Sequence, residues 1–235
     1  MCGRYATTRS SVDLAALFEA VDETGAALAA DYNVAPTDPV PIVAAACGGR
    51  ALRVARWGLV PHWARDARVG VRMINARAET LISSNAFGPS FRSRRCLVPA
   101  DGWYEWRPGE TGKQAYFMTP RDGALLAFAG LWAVSPTGLV TCSIVTATAI
   151  GHLASVHDRM PLIVTPDRWA EWLSAPADPA SLLIVPSVNF LDSLEIRPVG
   201  PAVGNVHNDG PHLTKRTAAA VASPEAVGPV DLTLF

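Results

Sequence analysis

The second residue of the chain, Cys2, is the first candidate for chemistry. Removal of Met1 would leave Cys2 with a free α-amine and a thiol on neighbouring carbon atoms. An α-amine titrates at about 7.7–8.0 and a thiol at about 8.5, so a fraction of each is nucleophilic at neutral pH. Such a 1,2-aminothiol condenses with an aldehyde to a Schiff base and closes to a thiazolidine ring. The alternative is a cysteine that only packs.

Three other side chains are suited to proton transfer or to orienting a substrate. Glu105 stands in Gly-Trp-Tyr-Glu-Trp, where aromatic neighbours exclude water and raise the pKa of a carboxyl group toward neutrality. His157 opens the polar sequence His-Asp-Arg, and an imidazole titrates near the operating pH. Asn75 offers an amide donor and acceptor for a chain terminus or a sugar. The alternatives are a solvated glutamate, a structural histidine and a turn asparagine.

Arginine is concentrated in one segment of the chain. Residues 50–107 contain 11 arginines and no lysine against four acidic residues, a balance of +7, whereas the whole chain has a net charge of −1. Arginine presents a planar fork of donors to phosphate and stacks on bases. This segment therefore favours contact with nucleic acid, and an arginine-favouring genome is the alternative explanation.

Composition argues against several classes of protein. The four cysteines form no Cys-x-x-Cys pair and no His/Cys cluster has zinc-ligand spacing, so we expect no metal and no cofactor. Few, unpaired cysteines are typical of a reducing cytosol. The N-terminus lacks the apolar region of a signal peptide, and no stretch of about 18 apolar residues exists, so we expect no membrane partner. The expected location is the cytoplasm, in association with the nucleoid.

Turn signals and periodicity predict the elements that position these residues. Helices are predicted over 10–20, over 78–86 and from Thr165 onward, and strands over 40–46, 51–57, 124–133 and 139–148. Segments 96–99 and 103–106 flank a predicted turn. Short strands, few helices and no βαβ alternation predict a single α+β domain, mainly antiparallel, with twisted, barrel-like sheets. We expect this domain over 1–215 and a mobile C-terminal tail over 216–235.

Seven motifs follow one another along the chain. They are Cys2–Tyr5, Tyr32–Pro36, Arg56–Pro61, Asn75–Thr80, Arg95–Trp106, Phe128–Trp132 and His157–Pro161. This ordered set resembles the SOS-response-associated peptidase family, whose members shield abasic sites in DNA. The resemblance extends from Cys2 to about Leu213, which is roughly nine-tenths of the chain.

The resemblance implies a covalent reaction with DNA. Cys2 would bond to the ring-opened aldehyde of an abasic site in single-stranded DNA, its amine forming a Schiff base and its thiolate closing the ring. Glu105 would act as general acid and base, and His157 would move protons to the sugar or help the linkage reverse. Asn75 would orient the reacting terminus. The family name implies a peptidase, which fits self-removal of Met1, and a Schiff base also permits weak lyase activity.

The DNA contacts expected around these residues include three arginines. Arg4, Arg77 and Arg159 are the candidates for binding phosphate. Arg77 stands two residues after Asn75, and in extended backbone such a pair points to one face of the strand. The same spacing separates Arg159 from His157. By family position, Trp106 faces DNA, and Pro36 and Thr146 line the site. Trp57, Trp63 and Trp103 are further candidates for stacking on bases, with core packing the alternative for Trp57 and Trp103.

Two other functions stay open at this level. An N-terminal-nucleophile thiol hydrolase or amidotransferase would also need a free amine beside its nucleophile, together with an amide substrate and an oxyanion hole. It would leave the arginine-rich segment unexplained. A non-enzymatic single-strand binder would need neither the Cys2 amine nor its thiol.

The end of the chain suggests a protein partner. Asp231–Phe235 resembles the Gln-Leu-x-Leu-Phe peptides that bind bacterial sliding clamps, with Asp where Gln is usual. Leu232, Leu234 and Phe235 would be the anchors in a groove of the replication clamp. The alternative is a hydrophobic terminus that folds back on the core.

Overall fold

The computed structural model describes residues 2–25, 28–109, 112–174 and 179–218. Within these ranges the strands are β1 (Tyr5–Thr7), β2 (Ala20–Asp22), β3 (Asp31–Val34), β4 (Pro39–Ala46), β5 (Gly49–Trp57), β6 (Asn75–Arg77), β7 (Arg95–Ala100), β8 (Gly102–Gly109), β9 (Gly112–Pro120), β10 (Leu126–Val134), β11 (Val140–Thr148), β12 (Arg159–Pro161) and β13 (Leu194–Val199). The α-helices are α1 (Ser11–Leu17), α2 (Gly88–Ser93), α3 (Trp169–Leu173) and α4 (Val188–Asp192). Short 3-10 helices span Ala67–Arg72, Ala78–Thr80, Gly151–Ser155, Pro166–Arg168, Pro179–Leu183, Pro201–Gly204 and Pro211–Thr214.

The strands form two sheets. The first is antiparallel, in the order β13-β9-β8-β1-β3, and the second has the order β12-β11-β10-β7-β4-β5-β2, with β6 paired to β11. A parallel pairing of β11 with β5 places Cys142 opposite Trp57 and closes β5, β4, β7, β10 and β11 into a ring. Closure pairs backbone edges that would otherwise be exposed. The predicted α+β fold with barrel-like, mainly antiparallel sheets is confirmed.

Side-chain alternation builds three apolar layers from these sheets. In β10, Leu126 and Phe128 face the core between the sheets, whereas Ala127 and Ala129 face the layer that includes Leu14 of α1, Phe91 of α2 and Trp172 of α3. This is the period-2 alternation of a strand. A smaller layer, which includes Tyr104, Phe117 and Val203, covers the outer face of the five-stranded sheet. The central core therefore belongs to both sheets.

Two predicted elements differ from the structure. The helix predicted over 78–86 is wrong, because only Ala78–Thr80 is helical there and α2 instead begins at Gly88. Pro89 lies in the first turn of α2, where the missing N–H costs no hydrogen bond, so Gly88-Pro89 starts a helix rather than ending one. The helix predicted over 10–20 ends at Leu17, and Ala20–Asp22 is an edge strand parallel to β5.

The tryptophans separate into core and surface residues. Trp57 and Trp103 are buried between the sheets, and Trp57 Nε1 donates a hydrogen bond to the Ile74 carbonyl at 2.9 Å. Core packing is therefore correct for both. Trp63 is 55% exposed.

The limits of the described chain bear on two further expectations. Arg216 forms a bridge with Val199, and residues 219–235, which include the proposed clamp anchors, lie outside the described residues. None of the described helices is both long enough and apolar enough to span a membrane.

Candidate active site

The N-terminal strand carries Cys2 into the core between the sheets. β1 lies between β3 and β8, with Tyr5 paired to Val34 on one side and to Trp103 on the other. The Tyr104 N–H extends this attachment by donating to the Arg4 carbonyl at 3.0 Å. Cys2 itself is 0% exposed. The candidate nucleophile is thus held in a defined position rather than on a loose terminus.

Asn75 holds the backbone of Cys2 from the other sheet. Its Nδ2 donates to the Cys2 carbonyl at 2.7 Å. β6, which begins with Asn75, runs parallel to β11 and places Asn75 opposite Ile144. The second amide atom, Oδ1, is buried, and no described residue donates a hydrogen bond to it. Asn75 therefore fixes the terminus and keeps an acceptor beside it.

Glu105 faces the same interior because of its register in β8. Trp103 belongs to the central core and Tyr104 to the outer layer, so alternation turns Glu105 inward and Trp106 outward. Glu105 is 3% exposed. Burial raises the pKa of Glu105 from 4.5 to about 7, and the Asp158 carboxylate adds to the rise. Both protonation states of this carboxyl are therefore accessible at neutral pH.

The Cys2 thiol and the Glu105 carboxyl interact electrostatically. Burial raises the pKa of the Cys2 thiol well above its usual range, and the negative charge of Glu105 raises it further. The thiol consequently needs a base close at hand to become a nucleophile, and a carboxylate of pKa about 7 is suited to that role.

His157 lies just before β12 and is partly buried. Its Nδ1 accepts a hydrogen bond from the Arg159 backbone N–H at 2.9 Å, which places the proton of a neutral ring on Nε2. The same Nδ1 lies 2.8 Å from a carboxylate oxygen of Asp158, a contact that suits only a ring protonated at Nδ1. We favour the backbone contact, because the Asp158 side chain is 84% exposed and burial lowers the pKa of His157.

β6 and β11 carry the residues that flank this group. Thr146 is buried in β11 and pairs with Arg77 of β6. Arg77 is exposed, and no described residue forms a side-chain hydrogen bond or an ion pair with it. Arg159 instead donates from Nη2 to the Thr146 carbonyl at 2.7 Å and contacts both carboxylate oxygens of Glu79.

Two of the other predicted DNA contacts, Arg4 and Trp106, lie on the outer side of the five-stranded sheet. Arg4 donates from Nη1 to Asn33 Oδ1 at 2.6 Å and to the Val203 carbonyl at 2.9 Å, on the outer side of the five-stranded sheet. Trp106 is half-buried against the same outer layer. Pro36 is half-buried in the turn after β3. The structure therefore groups Cys2 with Asn75 and Glu105, whereas Arg4 and Trp106 lie on the opposite face.

Comparison with known proteins identifies the family. The family model described as SOS response associated peptidase (SRAP) matches residues 1–206. This chain belongs to the SRAP family. Among SRAP relatives, the abasic site processing protein YoqW of Bacillus subtilis is 34% identical over 221 residues, which cover 91% of this chain and 98% of YoqW. The abasic site processing protein YedK of Escherichia coli is 31% identical over 225 residues, with the same shares covered.

Solved structures share the fold of this chain. A protein of Bacteroides thetaiotaomicron superimposes with a TM-score of 0.79 at 22% identity, covering 92% of this chain and 100% of that one. A phage-related protein of Bordetella bronchiseptica gives a TM-score of 0.64 at 29% identity, covering 84% of this chain and 94% of that one.

Two acidic residues of this SRAP site were missed by sequence analysis. Glu79 binds Arg159, and Asp158 raises the pKa of Glu105. Both stand inside the quoted motifs, next to residues that were selected. No signal in the sequence indicated the pairing of Glu79, because the burial of Arg159 and its contact with Glu79 arise only in the fold. Among the described residues, no three His, Cys, Asp or Glu side chains are grouped so as to hold a metal.

Proposed function

We propose that this protein binds single-stranded DNA at an abasic site and bonds to it covalently through Cys2 after Met1 has been removed, which shields the lesion. Relatives that the chain nearly spans are named abasic site processing proteins. The observation that carries the proposal is the placement of Cys2, whose carbonyl is held by Asn75 at 2.7 Å beside a buried Glu105 carboxyl.

The reaction would proceed in two steps. The Cys2 amine adds to the open-chain aldehyde carbon, and the resulting carbinolamine loses water to give a Schiff base. The thiol then adds across the C=N bond, so that sulfur joins carbon and the thiol proton passes to nitrogen. One water molecule is released overall. Glu105 would protonate the departing hydroxyl in its acid form and accept the thiol proton in its carboxylate form, since a pKa of about 7 supplies both forms.

His157 would serve the sugar rather than the thiol. A neutral ring with its proton on Nε2 can donate to an oxygen of the opened sugar or return a proton when the linkage reverses. The Schiff base also allows β-elimination of the 3′ phosphate, which would give weak lyase activity. Self-removal of Met1 would be the peptidase reaction, with Cys2 and Glu105 the nearest reactive groups.

Binding would be independent of DNA sequence. Arg77 is exposed and unpaired among the described residues, which suits contact with phosphate. Thr146, Pro36 and the exposed Trp63 would line the path of the strand by polar contact and stacking. Trp106, on the outer side of the five-stranded sheet, lies off this path. An abasic nucleotide has no base to unstack, so its sugar can enter an interior site at low cost.

The C-terminal residues would add a tether. Leu232, Leu234 and Phe235 are proposed to bind the replication sliding clamp, which would keep the protein at the nucleoid. Deleting residues 231–235 should abolish clamp binding in a pull-down with purified clamp. Unchanged binding by the truncated chain would eliminate the tether.

The deciding experiment uses single-stranded DNA with one uracil, converted to an abasic site by a glycosylase. Wild type should give an SDS-stable band and an intact mass equal to protein plus DNA less one water, with Met1 absent. Cys2→Ala should lose the band but keep weak binding, whereas Cys47→Ala, at an exposed cysteine, should behave as wild type. An adduct that survives Cys2→Ala, or glutamine turnover without an adduct, would refute the proposal.

A further inference from the structure

Both terminal nitrogens of the Arg159 guanidinium donate hydrogen bonds inside the protein, whereas Nε is buried and has no partner among the described residues. Nη1 donates to Glu79 Oε1 at 2.6 Å and Nη2 donates to Glu79 Oε2 at 3.0 Å, the bidentate geometry of a strong arginine–carboxylate pair. Nη2 also donates to the Thr146 carbonyl at 2.7 Å, and the Arg159 side chain is only 12% exposed. A phosphate could reach this fork only by expelling Glu79.

The Glu79–Arg159 pair connects three separate segments of the chain next to His157. Glu79 comes from the 3-10 turn after β6, Thr146 and Thr148 from β11, and Arg159 from the start of β12. Thr148 Oγ1 donates to Glu79 Oε1 at 3.2 Å, so β11 supports both members of the pair. These hydrogen bonds hold Arg159, the first residue of β12, against Glu79 and β11.

The backbone at the start of β12 in turn sets the position of the His157 ring. The Arg159 backbone N–H donates to His157 Nδ1 at 2.9 Å and so selects the tautomer and the ring position. The Asp158 carbonyl between them accepts from the Ala149 N–H at 2.8 Å, which attaches the same loop to the end of β11. Displacement of the Arg159 side chain would therefore move the imidazole.

We propose that Glu79 and Arg159 form an internal brace that positions His157, so that Glu79 is a positioning residue and the Arg159 fork holds protein rather than phosphate. The inference rests on the proposed function, because the role of His157 belongs to it. The brace neutralises Arg159 and leaves Arg77, on the neighbouring strand, as the cation presented to DNA.

The charge state of Glu79 supports a permanent brace. The hydrogen bonds from Arg159 lower the pKa of Glu79 from 4.5 to about 2. The carboxylate is therefore ionised throughout the neutral range, and the pair does not open with pH near neutrality. Any pH dependence of the reaction in that range has to come from other groups.

The first part of the test separates a brace from a phosphate contact. Salt dependence of binding is measured on single-stranded DNA carrying a tetrahydrofuran abasic analogue, which has no aldehyde. The charge-neutral double variant Glu79→Gln/Arg159→Gln should keep the wild-type slope of log Kd against log salt, whereas Arg77→Ala should lower it by about 0.7. A slope lowered by the double variant as much as by Arg77→Ala would overturn the brace.

The second part tests whether the brace acts through His157. Glu79→Gln should slow adduct formation at saturating abasic DNA by about tenfold, because displaced catalytic groups lose rate steeply. The same change in a His157→Gln background should slow it no further, since residues that act as a unit are not additive. Glu171→Gln, which alters the Glu171–Arg168 pair remote from the site, is the matched control and should leave the rate unchanged.

The outcomes distinguish this inference from the proposed function. Full additivity of Glu79→Gln and His157→Gln would refute positioning, even if every variant folds and binds. Thermal unfolding identifies any variant that does not fold. If the double variant is lost in this way, the adduct rates of the folded Glu79→Gln and His157→Gln proteins still test positioning. If wild type itself forms no adduct, the proposed function fails. The salt slopes then still show whether Arg77 and Arg159 contact phosphate.

Discussion

Replacing Glu105 by glutamine should stabilise the folded protein above neutral pH while it slows adduct formation. The carboxyl is buried, and burial raises its pKa from 4.5 to about 7. Because the folded state holds this proton more tightly than the unfolded chain, the contribution favours folding below about pH 4.5 and is lost as pH rises to about 7. Glutamine keeps the shape but cannot ionise, so the variant avoids this loss.

The size of the effect follows from the pKa change. A rise from 4.5 to about 7, at about 1.36 kcal/mol per pKa unit, amounts to about 3 kcal/mol of unfolding free energy. The advantage of Glu105→Gln over wild type should therefore grow by up to about 3 kcal/mol between pH 4.5 and pH 7 and then level off. Burial lowers the pKa of His157, which acts in the opposite direction, but that group is present in both proteins and cancels in the difference.

Urea unfolding at pH 5, 6, 7 and 8 gives the measurement. Wild type and Glu105→Gln are compared at each pH with the same state of Met1, and Glu171→Gln, at an exposed carboxyl, is the control. A difference between wild type and Glu105→Gln that stays constant over this range would show that Glu105 does not titrate with a raised pKa. The proposed proton transfer at neutral pH would then lose its physical basis.

Three further changes test the packing and geometry around the site. Gly102→Ala should lower the unfolding free energy by about 1–3 kcal/mol in urea titrations, because a Cβ there would lie 2.6 Å from Phe117 Cζ; an unchanged midpoint would contradict this contact. Tyr104→Phe removes the hydrogen bond from Tyr104 Oη to the Tyr32 carbonyl (2.7 Å) and should cost about 1 kcal/mol by the same assay, whereas no loss would show that water replaces it. Asn75→Ala should slow adduct formation about tenfold or more with unchanged affinity for single-stranded DNA, and a wild-type rate would remove its positioning role.

The sequence predicted the strands well because turn residues and apolar runs within each segment determine where a strand begins and ends. Turn residues and apolar runs bounded β4, β5, β10 and β11 to within two residues. The helix over 78–86 failed because Gly88-Pro89 was interpreted as a stop, although proline is equally compatible with a first turn. The parallel contact that closes the ring joins residues about 85 positions apart through two paired positions, Thr141 with Arg56 and Cys142 with Trp57. No local pattern carries that information.

In the candidate site, too, local sequence predicted some features, whereas contacts between distant segments determined others. The types and motifs of Cys2, Glu105 and Asn75 were sufficient to select them, and the inward register of Glu105 follows from strand alternation. The binding partners of the arginines were not predictable, because distant segments of the chain contribute them. Arg4 is bound to the loop at Val203, and Arg159 is bound to Glu79.

The position of β1 determines when Cys2 becomes buried during synthesis of the chain. Its pairing with Trp103 cannot form until more than a hundred residues have been synthesised, and the hydrogen bond from Asn75 to Cys2 comes no earlier than Asn75 itself. During that interval an aminopeptidase would have access to the N-terminus. Once the sheets close, Cys2 is 0% exposed, so a separate enzyme would have to remove Met1 before folding is complete.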